Sequence, residues 1–377
     1  MKHYDLAVIG GGLAGLSCLY HLQVAGKLAG RRVLLVEPES KSGNDRTWCL
    51  WERDAGPFDE VVYHRWNRVS LHNAVHELTC DLAPYTYKLI RAADFYRKVH
   101  DTLAGVAGLE IRRARAEALE STDDGVRFTV EGEVMTADRA VSSLPHPLDY
   151  RSVEVPYLDQ HFRGWYVETE EDVFTVGEAT FMDFRIPQEG DTRFLYVLPF
   201  SSRRALVEVA IFSNDHLTTE AYDAILADYL RKHWTIGHYR IEHTEAGNIP
   251  MTTYAFPRRT GNVLHVGLGG GDARPSTGYT FYNVQRQMAR LAAAYPEWPA
   301  LPAWPGRHLR YDATLLRILR DGKLPGDEVF VNLFLRNPPA RVLAFLNGES
   351  SLPQELALMS TVPTLPFASA FAREWLR

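Results

Sequence analysis

The stretch "YDLAVIGGGLAGLSCLYHLQVAGKLAGRRVLLVEP" (4–38) limits what this chain can fold into more than any other. "YDLAVIG" reads as a short buried strand, and Leu13, Leu16, Leu19 and Leu22 follow at helical spacing. "RRVLLVEP" reads as a second strand, which Pro38 ends. Gly10, Gly12 and Gly15 form G-x-G-x-x-G at the strand-to-helix turn. Gly10 permits the tight turn, Gly12 lets backbone approach a pyrophosphate, and Gly15 lets helix and strand pack closely. The helix N-terminus offers free N–H groups to phosphates. Glu37 ends the second strand, where an acid can accept hydrogen bonds from ribose hydroxyls; it disfavours a 2′-phosphate. With strand, helix and acid in register, the motif points to a dinucleotide-binding β-α-β unit rather than a bare Gly-rich turn.

A second loop of this kind comes some 250 residues later. "NVLHVGLGGGDARPSTGYTFYNVQRQMARLAAAY" (262–295) reads as a strand, a Gly loop and a long helix. The helix is expected to start near Ser276–Gly278, with Ser276 or Thr277 as N-cap. Gly270, Gly271, Pro275, Ser276, Thr277 and Gly278 are candidate cofactor contacts. The alternative is an ordinary glycine turn leading into a packing helix. Two phosphate-type loops in one fold favour FAD over NAD, with the second helix aimed at the flavin ring and stabilising a reduced, anionic flavin. A strand-rich segment lies between the loops. The expected layout is therefore a Rossmann-like cofactor domain from residues 1–150 and 256–300, an antiparallel substrate sheet at 151–255, and a Pro-broken helical region at 301–377. The fold class is α/β, in its α+β form.

"RALVEVAIFS" (204–213) poses a different question. It reads as a strand, and Glu208 is the one acid in an otherwise apolar run, so neither face of the strand looks wet. Glu208 is either a core acid paired with an arginine of "SSRR" or with backbone, or a carboxyl that burial keeps protonated. The net charge of -6 argues against a nucleic-acid partner. Three scattered cysteines (Cys18, Cys49, Cys80) fit a reducing compartment and suggest neither a disulfide framework nor a metal site. No run of 18 apolar residues is present, and the N-terminus turns Gly-rich too early for a signal peptide.

The stretches "DLAVIGGGLAGLS", "NDRTWCLWE", "LPHP", "QHFRGW", "FMDFR", "LPFSSRRALVEVAIFS", "GNIPMTTYAF" and "GGGDARPSTGYTF" occur in this order up to about residue 281. In them the chain resembles the flavin-dependent lycopene cyclases of carotenoid biosynthesis. The resemblance implies an FAD-binding fold of the aromatic-hydroxylase type. It implies lycopene β-cyclase activity on lycopene or a related linear carotene, a redox-neutral isomerisation that needs reduced FAD, with NAD(P)H as reductant. The family's acidic motif aligns with "ALVEVA" and places its Glu on Glu208. Many relatives carry a second acid or polar residue just after it; here stands Val209, so any helper must come from another strand.

Such chemistry needs a protonated acid in an apolar pocket, because a hydrocarbon offers no polar handle. Asp183 and Arg185, in "FMDFR", are candidates to orient that acid or to assist proton removal; equally, they neutralise each other. Trp165, Phe181, Phe184 and Tyr196 are candidate cation–π partners or ordinary core aromatics. Arg46 ("DRTW") and Arg91 ("LIRAADF") match positions where this fold contacts flavin, or are salt-bridge arginines. The substrate's bilayer home implies cytoplasmic attachment to the inner membrane face, along with contact with other carotenoid enzymes. Residues 303–345 carry seven Lys/Arg against four Asp/Glu, which suits anionic headgroups. "LALMSTVPTLPFASAF" is expected to close or gate a tunnel. The competing functions are an isoprenoid reductase or hydroxylase on the same fold, and a non-catalytic carotenoid or flavin carrier.

Overall fold

A computed structural model describes residues 1–377 except 146–151, 153, 235, 298–301, 376 and 377. The boundaries expected at 150/151 and 300/301 fall outside the described residues, as do His146 and Pro147 of "LPHP". Five strands run parallel in one sheet. Lys2–Ile9 lies between Glu133–Ser142 and Val33–Val36, with Val263–His265 and Leu109–Arg112 beyond. The central strands Lys2–Ile9 and Val33–Val36 carry buried apolar runs because both faces are covered, whereas Leu109–Arg112 at the edge is partly exposed. Leu16, Leu19 and Leu22 of helix Leu13–Val24 pack on Leu6 and Val8, beside Val284 and Met288 of helix Phe281–Ala294. Phe128 and Val130 of an antiparallel hairpin cover the other face. The 262–295 unit thus returns to the sheet that the first 36 residues begin. Its helix starts at Phe281, later than expected, because Gly278 takes a left-handed conformation (φ +73°) that cannot enter a helix.

The second sheet has the order Tyr239–Thr252, Tyr157–Thr169, Arg204–Ser213, Thr192–Pro199, Glu178–Asp183, Arg68–His72, Glu77–Asp81. The region around residues 160–213 is antiparallel as expected. The last two strands come from the segment expected to serve the cofactor: a hairpin there extends the substrate sheet through a parallel pairing with Glu178–Asp183. Val207, Val209 and Ile211 face Tyr222, Leu226 and Tyr229 of helix Thr219–His233. Each such buried aliphatic contributes about 1.5–3 kcal/mol. Leu206, Ala210 and Phe212 face the other way, into the core that the C-terminal helices share.

Those helices are Gly306–Arg320, Gly326–Leu335, Pro339–Leu346, Leu352–Met359 and Thr364–Trp375. Pro325 and Pro338 stand at helix entries, and Pro339 opens the first turn, where a missing N–H costs nothing. A small sheet of Thr47–Glu52, Thr86–Arg91 and His64–Trp66 completes the frame. It carries Thr47 and Tyr87 to the wall of a cavity and Trp51 into the core shared with the C-terminal helices.

Candidate active site

The first Gly loop separates packing from opening. A β-carbon at Gly10 (φ +96°) would stand 2.2 Å from Ser143 Oγ, and one at Gly15 would stand 1.9 Å from the Gly10 carbonyl oxygen. At Gly12 no neighbouring group lies within 4 Å of that position. Gly12 instead opens on a cavity of about 440 Å³ that runs past Trp48, Gly267 and Gly278 to Glu208 and Glu245. Gln160 Oε1 is buried on this wall without a hydrogen-bond partner. An open cradle at Gly12 and an orphaned acceptor farther in fit an extended ligand reaching from loop to carboxyls. Arg46 lines the same cavity and donates to the Asp45 carbonyl at 2.6 Å. Glu37 accepts the Gly11 amide at 2.6 Å and the Glu39 amide at 3.0 Å. One oxygen thus holds the Gly loop and the other the turn after its own strand.

At the inner end, strand register makes the chemistry. Glu245, Gly164, Glu208 and Tyr196 form one row across four neighbouring strands. A β-carbon at Gly164 would crowd Leu206 Cδ1 at 2.9 Å and Glu208 Oε2 at 3.0 Å. Because Gly164 has none, the carboxyls on either side meet over it and hydrogen-bond. Burial pushes the Glu208 carboxyl well above the usual carboxylate range, and the neighbouring Glu245 charge adds to the effect. Burial also raises Glu245, against an opposing hydrogen bond from Thr47. The Thr47 hydroxyl donates to Glu245 Oε2 at 2.7 Å and lies 2.5 Å from the Tyr166 hydroxyl. Thr47 has one proton to give, so Tyr166 donates to it in turn. The arginines of "SSRR" do not reach Glu208: Arg203 pairs with Asp172 and Arg204 with Glu242 at the surface.

A second cavity, about 270 Å³ and almost wholly apolar, lies between the sheet and the C-terminal helices. Phe181, Phe194 and Phe212 wall it from the sheet, and Phe330, Phe334 and Phe367 from the helices. Tyr196, Thr277 and Tyr279 border both cavities, so the carboxyl row stands where the polar slot meets the apolar tunnel.

A family profile described as "Lycopene cyclase protein" matches residues 5–372. The chain belongs to the lycopene cyclase family. Among the relatives it resembles, a lycopene beta-cyclase from a Paracoccus species is 28% identical over 229 residues, 56% of this chain and 58% of that protein. The lycopene beta-cyclase of Pseudescherichia vulneris is 24% identical over 97% of this chain and 96% of its own. Among solved structures, a flavoprotein/dehydrogenase from Cytophaga hutchinsonii superposes with a TM-score of 0.66 at 12% identity, covering 100% of this chain and 99% of that one. The fold is that of the FAD-dependent hydroxylases and reductases.

Within this lycopene cyclase family member, the residues singled out from sequence separate into two groups. Glu208, Gly12, Arg46, Thr277 and Gly278 line the 440 Å³ cavity, and Ser276 lines the tunnel. Gly10, Gly15, Gly270, Gly271 and Pro275 lie behind the walls and shape the turns. At Gly270 a β-carbon would stand 2.4 Å from the His265 carbonyl oxygen. Arg91 is outside both cavities; it pairs with Asp94 at 2.7 Å and lies over the Tyr63 ring at 3.9 Å.

Asp183 is also elsewhere. It is fully buried, with Arg185 donating to both of its oxygens and Tyr229 to one at 2.7 Å. Burial alone would raise its pKa, but these bonds outweigh it and hold the carboxyl below its usual value. An irregularity between Thr180 and Asp183 turns the side chain towards helix Thr219–His233, while Phe181 and Met182 both reach the tunnel. Trp165 and Phe184 likewise pack outside the cavities; of the four aromatics, Phe181 and Tyr196 line them. The sequence reading missed Glu245, Thr47, Gly164 and Gln160. Thr47, Gln160 and Gly164 lay within the quoted stretches "NDRTWCLWE" and "QHFRGW" without a role, and Glu245 stands two residues before "GNIPMTTYAF", on a strand whose neighbours are not visible in the sequence.

Proposed function

We propose that this chain is a lycopene β-cyclase, closing the ψ end groups of lycopene or a related linear carotene into β-rings with FAD bound in its reduced form. The observation that carries the proposal is Glu208, a carboxyl kept protonated by burial where a polar slot meets an apolar tunnel. The Gly10–Gly15 loop, Arg46, Gln160, Thr277 and Gly278 would hold FAD, and NAD(P)H is the proposed source of its electrons. When bound and reduced, the flavin supplies negative charge beside a cationic transition state.

Glu208 gives its proton to the terminal double bond. The neighbouring double bond attacks the resulting cation, and a ring proton leaves. One proton enters and one departs, so no net electron transfer is needed. The tunnel aromatics keep out water that would trap the cation, and Tyr196 and Tyr279 offer ring faces to it. Asp183 and Arg185 support the sheet rather than the chemistry.

Among the described residues no helix is long and apolar enough to cross a membrane. Leu352, Leu356 and Leu365 are exposed (57%, 65% and 84%) on the two helices whose inner residues Leu358, Met359 and Phe367 wall the tunnel. These leucines support attachment to the inner face of a membrane at the tunnel mouth, where other carotenoid enzymes would hand over substrate.

The test is turnover in heavy water with reduced flavin. A cyclase places one deuterium in each new ring and consumes no oxygen. A product that gains two hydrogens per saturated bond would mark an isoprenoid reductase instead, and oxygen uptake with a hydroxylated product a hydroxylase. Glu208→Gln is expected to purify with yellow flavin and to lose cyclisation by on the order of 10²–10⁴.

A further inference from the structure

We propose that Glu245 is a positioning residue: the Glu208 and Glu245 carboxyls share one acid proton across Gly164, with the Tyr166–Thr47 hydroxyl chain anchoring Glu245 as the acceptor. This rests on Glu208 as proton donor and adds the group that keeps the proton there. The geometry is built for it. Gly164 is the cross-strand neighbour of both acids, and its missing side chain provides the contact. Glu245 is 8% exposed and fixed from behind by Thr47, itself bonded to Tyr166.

The surrounding charges favour this direction of sharing. Arg46 and His243 lie on the Glu245 side and favour its ionised form, as the Thr47 hydroxyl does. Tyr196 and Cys49, beside Glu208, are raised by burial and bring no charge. Glu245 is thus the acceptor and Glu208 carries the proton towards the tunnel. When Glu208 passes that proton to the terminal double bond, two carboxylates stand side by side. Two like charges in a buried site oppose each other, so the pair takes up the one proton that the ring carbon releases. It ends turnover as it began, with no other acid or oxidant required.

The alkaline limb of the cyclisation pH profile reports loss of the shared proton and belongs to the pair, not to either acid. In Glu245→Gln holoenzyme the like charge is gone, Glu208 ionises more readily, and the limb moves down by about one pH unit or more with flavin retained. Thr47→Val removes a donor that favours ionised Glu245, so the pair holds its proton longer and the limb moves up. The same titration can be read without turnover from the infrared carboxylic-acid C=O band, which Glu208→Gln should abolish. Limbs unmoved in both variants, or moved in one common direction, overturn the proposal. If Glu245→Gln does not fold, the upward shift of Thr47→Val decides alone. Full cyclisation in Glu208→Gln would instead sink the donor assignment itself, which keeps the two failures distinct.

Discussion

Asp183, fully buried, and Glu208, half-buried on the cavity wall, are acids on neighbouring parts of one sheet, yet their pKa values move in opposite directions. Asp183 accepts three bonds from Arg185, one of them from its backbone amide, and one from Tyr229, and its pKa falls. Removal from water raises the Glu208 pKa, no cation offsets it, and the neighbouring Glu245 carboxyl adds to the rise. The signs give opposite stability profiles. Asp183 stabilises the fold above its unfolded pKa near ~3.9, and that contribution is lost as pH falls through the lower folded value. Asp183→Asn should cost about 2–3 kcal/mol in denaturant unfolding at pH 7; the figure is below that of a fully buried pair because Arg185 is partly exposed. Its bound flavin and product should stay the same. Glu208 keeps its proton in the folded chain where the unfolded chain loses it, so stability falls as pH rises above ~4.3. Glu208→Gln should therefore be more stable than the parent at pH 8, with the gap closing towards pH 4.

At the scale of elements, glycines in one loop serve different ends. Gly15→Ala would force a methyl into the Gly10 carbonyl, and the strand–helix crossing has no room to give; little folded protein is expected on expression. Gly12→Val meets open space, so the chain should fold with near-parental thermal stability yet purify colourless, because the new side chain fills the cradle. A yellow Gly12→Val protein would refute the cofactor assignment. Both roles are legible in the sequence, since the motif names positions relative to its own strand and helix. Gly164 was not legible. Its importance comes from what two other strands place on either side of it, and register between strands distant in sequence is set by the packed faces of the whole sheet. The late start of helix Phe281–Ala294 has the same origin: a left-handed Gly278 is dictated by the wall it packs against, including Gln160.

For the whole molecule, the sheets and C-terminal helices enclose two cavities that meet at Tyr196, Thr277 and Tyr279. Arg274, fully buried, ties the second Gly loop to this roof through Asp312 at 2.9 Å. Helices Leu352–Met359 and Thr364–Trp375 wall the tunnel with Leu358, Met359 and Phe367 and expose Leu352, Leu356 and Leu365. Leu356→Ser with Leu365→Ser should reduce co-flotation with anionic lipid vesicles several-fold while leaving flavin content and fold intact. Unchanged flotation would refute the proposed attachment through these leucines.

The sequence by itself determined the cofactor-type β-α-β unit, the return of a second Gly loop, the antiparallel segment and the anomaly of Glu208. All of these depend on neighbours close along the chain, where spacing and side-chain type suffice. Only the tertiary structure decided that Glu245, not Asp183, is the partner of Glu208, that Arg91 stays out of the site, and that the glycine between the acids brings them together. Those outcomes depend on strand order, register and one irregular turn, and these are settled when distant segments compete to bury the same apolar faces.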